Sequence, residues 1–491
     1  MLKLGNNLQD KEFWYKDIIL VCDKLPDFER DEVNLTTFLS KNTILKTPLI
    51  SSPMDTVTES KMAILLALMG GIGVIHYNFK TIEEQIAEAE KVKRFEAGFV
   101  LKPLVLGPNS QVTDVLEIAK KHGFYSTPIT QDGTLKTKLI GIVTRRDIRY
   151  LETEKELNTP LKKLMTPFSK LVTAPRELTL DKADIRVANK IIRKNNLDTL
   201  PIIDKSNRLV ALVTDSDLRK DKTYPLATKD KNKCLKVLIA VESRLNLAKE
   251  RIKQAVEVGV DGIVVDASVV FKQQIEIAKF TKKNYPQMDV VLGNVDSGKM
   301  VSEIIKSGGK WVDALRVGIG PGAACITQEI LGVGRAQASA VSDCSQTKDK
   351  LTKNHQHKIS LIADGGIKKP SDITKALALG ADSVMAGSLF AGLEEAPGEA
   401  EFDESLGYLV KKYRGMGSME AMEMRGSYRY AIEGAQIKIP EGKVYKVGYK
   451  GSGFTYIPRL IAAIKQSMQK LGCKDIKSLQ KNVSIKPIIF N

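Results

Sequence analysis

The chain has 491 residues, more than one hydrophobic core usually organises, so two or more domains are expected. Apolar residues make up 43% and charged residues 27%, an ordinary globular balance, and no apolar run is long enough to span a bilayer. The net charge of +17 is spread along the whole chain without basic runs interleaved with aromatics. That argues against nucleic acid as a partner and for a solvated surface that attracts small anions.

The predicted elements fall into two regimes. From about 45 to 95, and again from about 235 to 395, short apolar runs alternate with segments of helical period. The runs are "PLISSPM" (48–54), "GIGVIH" (71–76), "KVLIAV" (236–241), "GIVVDA" (262–267), "VVLGNV" (290–295), "ALRVGIG" (314–320), "LIADGG" (361–366) and "SVMAGS" (383–388). Amphipathic stretches such as "ESKMAILLALMG", "NLAKERIKQAVEVG" and "SDITKALALG" follow them. Near-continuous apolar strands separated by helices predict a parallel sheet covered by helices. Eight units is the count of an α/β fold of the (β/α)8 TIM-barrel type, with a doubly wound sheet as the alternative. Seven of the eight runs lead into small or polar residues: Ser51-Ser52, His76, Asp266, Gly293-Asn294, Gly318 and Gly320, Asp364-Gly365-Gly366, and Gly387-Ser388. In a barrel these ends form the face that carries the chemistry.

Between the second and third units lies an insertion, residues 98–223, which divides the barrel into parts at 1–97 and 224–491. It holds an internal repeat. "STPITQDGTLKTKLIGIVTRRDI" (126–148) parallels "TLPIIDKSNRLVALVTDSDL" (199–218), and each half follows a helical run. Each half ends in Thr-x-x-Asp, at Thr144 and Asp147 and at Thr214 and Asp217. The repeat resembles a tandem pair of cystathionine-β-synthase (CBS) motifs, a Bateman module. That resemblance implies regulatory purine nucleotides as ligands of those four residues. The tetrapeptide alone is also a common helix cap.

Two glycine-bearing strand ends, "ADGGI" (363–367) and "MAGSL" (385–389), predict an anion site. Glycine lets backbone N–H groups approach an anion, and phosphate after strands seven and eight recurs in barrels. Asp364 beside it is placed for a ribose diol. After strand six, "GIGPGAACITQE" (318–329) sets Cys325 in a tight turn on the same face. A cysteine there is either inert filler or a nucleophile activated by its surroundings. The other cysteines, Cys22, Cys234, Cys344 and Cys473, show no paired or metal-type spacing. With no signal-peptide core at the start and no peroxisomal address in "KPIIFN", they point to the cytoplasm.

"SSPMDTVTES", "MGGIGVIH", "ALRVGIGPGAACITQEILGVGRAQ", "LIADGGI", "ALALGADSVMAGSL", "EEAPGE" and "KKYRGMGS" resemble the IMP dehydrogenase family, in order, from about residue 12 to 475. "CITQE" and "SSPMDTVTE" are closest in kind to its eukaryotic members. The resemblance implies oxidation of inosine 5′-monophosphate (IMP) to xanthosine 5′-monophosphate (XMP) with NAD and water, a step of guanine nucleotide synthesis. It implies Cys325 as nucleophile and Thr327 beside the reacting water. Met54, Ala323, Asp364, Gly365, Gly366, Gly387, Ser388, Tyr413, Met416, Gly417 and Glu441 would hold the substrate. Asp266, Ser268, Asn294, Arg316, Gly318 and Gly320 would face the dinucleotide, and the carbonyls of Gly320, Gly322 and Cys325 a potassium ion. The family assembles as a homotetramer through its barrels, and octamers are the other expected form.

The segment 419–450 separates the family's branches. Dehydrogenases carry an Arg-Tyr pair on a mobile flap that activates water, and Arg429-Tyr430 sits at that spacing. GMP reductase, which shares the barrel and the cysteine, lacks the pair and remains the alternative, while "GKVYKVGYKG" leans toward it. A degenerate nucleotide-binding homologue is a third reading. Three departures from the family pattern stand out. Ala267-Ser268-Val269-Val270 replaces Ser-Ser-Gln-Gly, Ala323 replaces a phosphate-contacting serine, and the usual C-terminal Glu-Gly-Gly that completes the potassium site is missing.

Overall fold

The computed structural model describes residues 11–95, 99–100, 103–122, 125–135, 137–151, 153–179, 185–214, 224–353, 358–430 and 434–488. It divides into two compact units. One comprises residues 1–93, 226–228 and 235–491, and the other 94–225 and 229–234.

The first unit is a closed parallel barrel of eight strands. In chain order they are β1 (Leu49–Ser51), β2 (Ile72–Ile75), β3 (Leu238–Val241), β4 (Gly262–Val265), β5 (Asp289–Val295), β6 (Ala314–Val317), β7 (Ser360–Asp364) and β8 (Ser383–Ala386). Each lies inside one of the eight apolar runs read from the sequence, give or take a residue at its ends. Every strand is buried on both faces, which is why the runs are nearly unbroken rather than alternating. Alternate residues point inward, and Ile50, Ile72, Val74, Leu238, Ala240, Val264, Val291, Ala314, Ile362 and Met385 fill the barrel interior. A short hairpin, Thr37–Phe38 with Ile44–Leu45, closes one end with the fully buried Leu39 and Leu45. The outer helices include Ser60–Leu68, Leu245–Glu257 and Pro370–Ala378, which cover the amphipathic stretches predicted. Gly73 lets the first of these approach, since a Cβ there would stand 2.5 Å from the Ala63 Cα.

After β8 the chain builds an antiparallel sheet of β9 (Glu401–Asp403), β10 (Tyr408–Arg414) and β11 (Val444–Gly448). The expected flap of 419–450 is thus shorter as a loop, because its final residues are strand β11. Glu395, in "EEAPGE", caps the following helix Gly453–Lys470 by accepting from the Gly453 N–H at 2.8 Å and the Ser452 hydroxyl at 3.0 Å.

The second unit repeats one motif. A helix (Val112–His122) accompanies strands Thr127–Thr130 and Leu139–Val143, and a second (Ile185–Asn195) accompanies Thr199–Ile203 and Leu209–Thr214. Thr144 and Asp147 form a capping box on helix Arg145–Ile148, with the Thr144 N–H and hydroxyl donating to Asp147 Oδ2 at 2.7 and 2.8 Å. The Thr214 side chain and Asp217 lie outside the described residues. No helix among the described residues is long and apolar enough to cross a membrane.

Candidate active site

The C-terminal strand ends surround a cleft of about 830 Å³, part of it open to solvent. All four predicted catalytic residues line it: Cys325, Thr327, Arg429 and Tyr430.

Cys325 sits in a turn after β6 that glycine makes possible, with Gly318 at φ +143° and Gly320 at φ +81°. The Cys325 N–H closes the turn on the Gly322 carbonyl at 3.0 Å. The turn is clipped to the returning arm of the flap, where Ile326 N donates to the Glu441 carbonyl and Lys443 N to the Ala324 carbonyl. Side chains continue this link. The Thr327 hydroxyl donates to Glu441 Oε2 at 2.7 Å and lies 3.1 Å from the Cys325 sulfur. A hydroxyl has one proton, and Thr327 has already given it to the carboxylate. The thiol must therefore donate to Thr327, which sets a directed chain from Cys325 through Thr327 to Glu441. Burial pushes the Cys325 thiol up, the Thr327 hydrogen bonds draw it back, and the charges of Glu441 and Asp364 push it up again. The resting group is a thiol with an acceptor relay rather than a free thiolate.

The opposite end of the cleft is made of backbone. Gly365 and Gly366 hold φ of +91° and +74°, and the N–H groups of Gly366, Gly387 and Ser388 reach no backbone carbonyl among the described residues. The Tyr413 hydroxyl closes this cradle, hydrogen-bonded by the Ser388 backbone and 3.6 Å from the Met54 sulfur. A Cβ on Gly387 would come within 2.7 Å of that hydroxyl. Burial raises the Tyr413 phenol far above its ordinary range, so it stays a donor. Ala323 lines the same end without a hydrogen-bonding group.

A carboxylate wall runs between the two ends. Arg316 is 1% exposed and bridges Asp266 Oδ1 and Asp364 Oδ2, each at 2.7 Å. Asn294 Nδ2 adds a bond of 3.0 Å to Asp364 Oδ2, which leaves Oδ1 as the atom available to a ligand. Arg429 joins the same Asp266 Oδ1, and its carbonyl accepts from Ser268 N at 3.0 Å. The altered 267–270 loop is therefore the flap's landing place. Asp266 Oδ2 and Asn294 Oδ1 are buried without a partner.

Most of the sequence-predicted residues line this cleft, Arg316 among them. Asp266 and Gly417 do not line the cleft: Asp266 is sealed beneath Arg429, and Gly417 packs against the Tyr430 hydroxyl, with no room for a Cβ. Arg316 lines the cleft with its guanidinium committed to two carboxylates. His76 is structural, stacked on Phe79 at 4.2 Å, with Nδ1 accepting from Asn78 N. Sequence reasoning missed the clamp at the flap's root. Arg414 grips Asp55 through Nε at 3.0 Å and Nη2 at 2.6 Å, and Asn78 links Asp55 to the Arg425 N–H. Asp55 lay inside a quoted motif, but nothing near it in sequence names its partner.

The chain matches the IMP dehydrogenase / GMP reductase domain over residues 12–489. It is 41% identical to the inosine-5′-monophosphate dehydrogenase of Schizosaccharomyces pombe, over 94% of this chain and 86% of that one. It is 38% identical to the enzyme of that name from Toxoplasma gondii, over 95% and 90%. Among solved structures it resembles a cysteine-to-alanine variant of the GMP reductase from Trypanosoma brucei in complex with guanosine 5′-monophosphate, with TM-score 0.84 and 29% identity over 99% and 97% of the two chains.

Proposed function

We propose that this chain, which belongs to the IMP dehydrogenase / GMP reductase family, oxidises IMP to XMP with NAD⁺ and water. The observation that carries the dehydrogenase reading is that Arg429 and Tyr430 line the same cleft as Cys325 and the glycine cradle, with Arg429 paired to the buried Asp266.

In this reading the 5′-phosphate takes the N–H groups of Gly366, Gly387 and Ser388 and the Tyr413 hydroxyl. The ribose diol donates to Asp364 Oδ1. Met54 and Met416 then pack the base so that C2 faces the Cys325 sulfur. The thiol proton moves to Thr327 as Thr327 passes its own to Glu441, and sulfur bonds to C2. NAD⁺, when bound, supplies the acceptor for the C2 hydride. The buried Asp266 Oδ2 and Asn294 Oδ1 fit that group, since each is an acceptor lacking a donor and a carboxamide carries two. The carbon now carries a thioimidate. Water then adds to C2 beside Arg429 and Tyr430, one of its protons going to N3; the C2–S bond breaks and the sulfur regains its proton from Glu441 through Thr327, while the second water proton is released to solvent. Arg429 occupies the dinucleotide's side of the cleft, so hydrolysis follows departure of the reduced cofactor.

GMP reductase is the second reading, motivated by the resemblance to the trypanosomal reductase. The assay that separates them is direct. Protein, IMP and NAD⁺ should produce NADH, and GMP with NADPH should be inert. NADPH consumption on GMP, with no NADH from IMP, overturns the proposal.

A monovalent cation, potassium by expectation, belongs against the carbonyls of Gly320, Gly322 and Cys325. Gly322 O has one lone pair left after accepting the Cys325 N–H. Purine nucleotides at the inserted repeat, and assembly into tetramers or octamers, complete the proposal. A nucleotide at Thr144 and Asp147 would have to share Asp147 with the capping box.

A further inference from the structure

The glycine cradle has no cationic side chain of its own. The two cations lining the cleft among the described residues, Arg316 and Arg429, are committed to Asp266 and Asp364. A phosphate dianion in the cradle would meet dipoles but no full positive charge in contact.

Two ammonium groups lie directly behind the loop that forms it. Lys411, on β10 two residues before Tyr413 and on the same face, is 2% exposed. Its Nζ donates to the carbonyls of Leu393 at 3.0 Å, Glu394 at 3.5 Å and Ala396 at 2.6 Å. Lys450, just after β11, donates to the carbonyls of Ser388 at 3.3 Å and Leu389 at 2.7 Å, with the Tyr456 ring 5.3 Å away. Among the described residues neither lysine has a carboxylate partner at ion-pair distance. The nearby Glu395 is engaged by the Ser452 hydroxyl and the Gly453 N–H. Desolvation draws both ammonium groups below their ordinary range, with Glu395 and Glu394 drawing Lys411 partly back and Lys450 exposed along its stem.

We propose that Lys411 and Lys450 are counter-ions for the nucleotide 5′-phosphate, acting through the 387–396 loop, and that they select the phosphorylated nucleotide over the nucleoside. They orient the loop by its carbonyls, on the side away from the cradle, and add charge behind the Ser388 N–H. They are positioning residues, since neither lines the cleft. The inference deepens the mononucleotide reading above and rests on it.

The test compares IMP with inosine by titration calorimetry on the full chain. Lys450→Met should weaken IMP roughly tenfold, the order expected for removing one partly screened unit charge behind a dianion, and leave inosine unchanged. Lys450→Arg should stay within about threefold of wild type for IMP, and added salt should weaken IMP more in wild type than in Lys450→Met. Lys411→Met should act in the same direction; because Lys411 is buried, its melting temperature is read alongside, and Lys450→Met carries the test if it does not fold. Equal weakening of IMP and inosine would mean a merely structural role and overturn the proposal, as would no change in either. Failure of the dehydrogenase reading shows separately, as absence of NADH with the IMP-to-inosine ratio still dependent on Lys450. A wild-type chain that binds no purine nucleotide 5′-phosphate overturns both.

Discussion

Replacing Glu441 by glutamine separates two effects that the structure assigns to one carboxylate. Glu441 is the terminal acceptor of the Cys325–Thr327 relay, at 2.7 Å from the Thr327 hydroxyl. It is also one of the charges that push the Cys325 thiol up. Glutamine keeps the shape and can still accept from Thr327, but the bond loses its charge. A hydrogen bond to a charged group is worth about 1.5–3 kcal/mol and a neutral one about 0.5–1.5. The difference of roughly 1–1.5 kcal/mol predicts a fall in kcat of about tenfold. The thiol should respond in the opposite sense. Wild-type alkylation by iodoacetamide should keep rising through and beyond pH 9, because burial holds the thiol protonated at neutral pH. In Glu441→Gln the same profile should shift to lower pH, giving faster alkylation at pH 8 with slower turnover. Turnover and alkylation that slow together would mean that Glu441 only supports the loop. Unchanged turnover would remove the relay altogether.

Three further outcomes follow from contacts already described. Gly387→Ala places a methyl 2.7 Å from the Tyr413 hydroxyl and 3.0 Å from the Met54 sulfur, so IMP affinity should fall by two orders of magnitude or more in equilibrium binding, with the melting temperature little changed. Arg429→Ala should leave hydride transfer intact and stall hydrolysis, so stopped-flow should show one equivalent of NADH per active site followed by little steady turnover. Asp55→Ala removes the Arg414 clamp and the Asn78 amide's partner while Arg414 keeps Glu420 at 3.0 Å, and should cost about 1.5–3 kcal/mol in denaturant unfolding, the range for a lost hydrogen bond to a charged group.

The eight barrel strands were legible because burial on both faces leaves an unbroken apolar run that no exposed strand would show. The cradle and the cysteine turn were legible because backbone that must approach an anion or reverse sharply needs glycine, and glycine is visible in sequence. What the residues alone do not encode is partner choice over long separations. Arg414 and Asp55 are 359 positions apart, and either could have been a solvated charge. Thr144-x-x-Asp147 shows a different limit. A helix cap and a ribose ligand need the same two residue types, and here the pair is bonded to itself. Gly417 was read as touching the base by position in a motif. The structure adds a packing reason, the Tyr430 hydroxyl, which occupies the space a side chain would need.

The dehydrogenase reading requires Arg429 to leave Asp266 in each turnover, and the pairing of Asp266 bears on the cost of that step. A fully buried carboxylate stripped of its only partner is costly by several kcal/mol, which would lock any flap that supplied that partner. Asp266 has two. Arg316, itself buried and fixed on Asp364, remains on Oδ1 when Arg429 leaves. Opening therefore forfeits the Arg429 contact and the Ser268 N–H bond to the Arg429 carbonyl but leaves the carboxylate paired. The second guanidinium on Asp266 thus makes the closed state favourable without making it permanent, and the residue that permits this, Arg316, never has to touch the substrate.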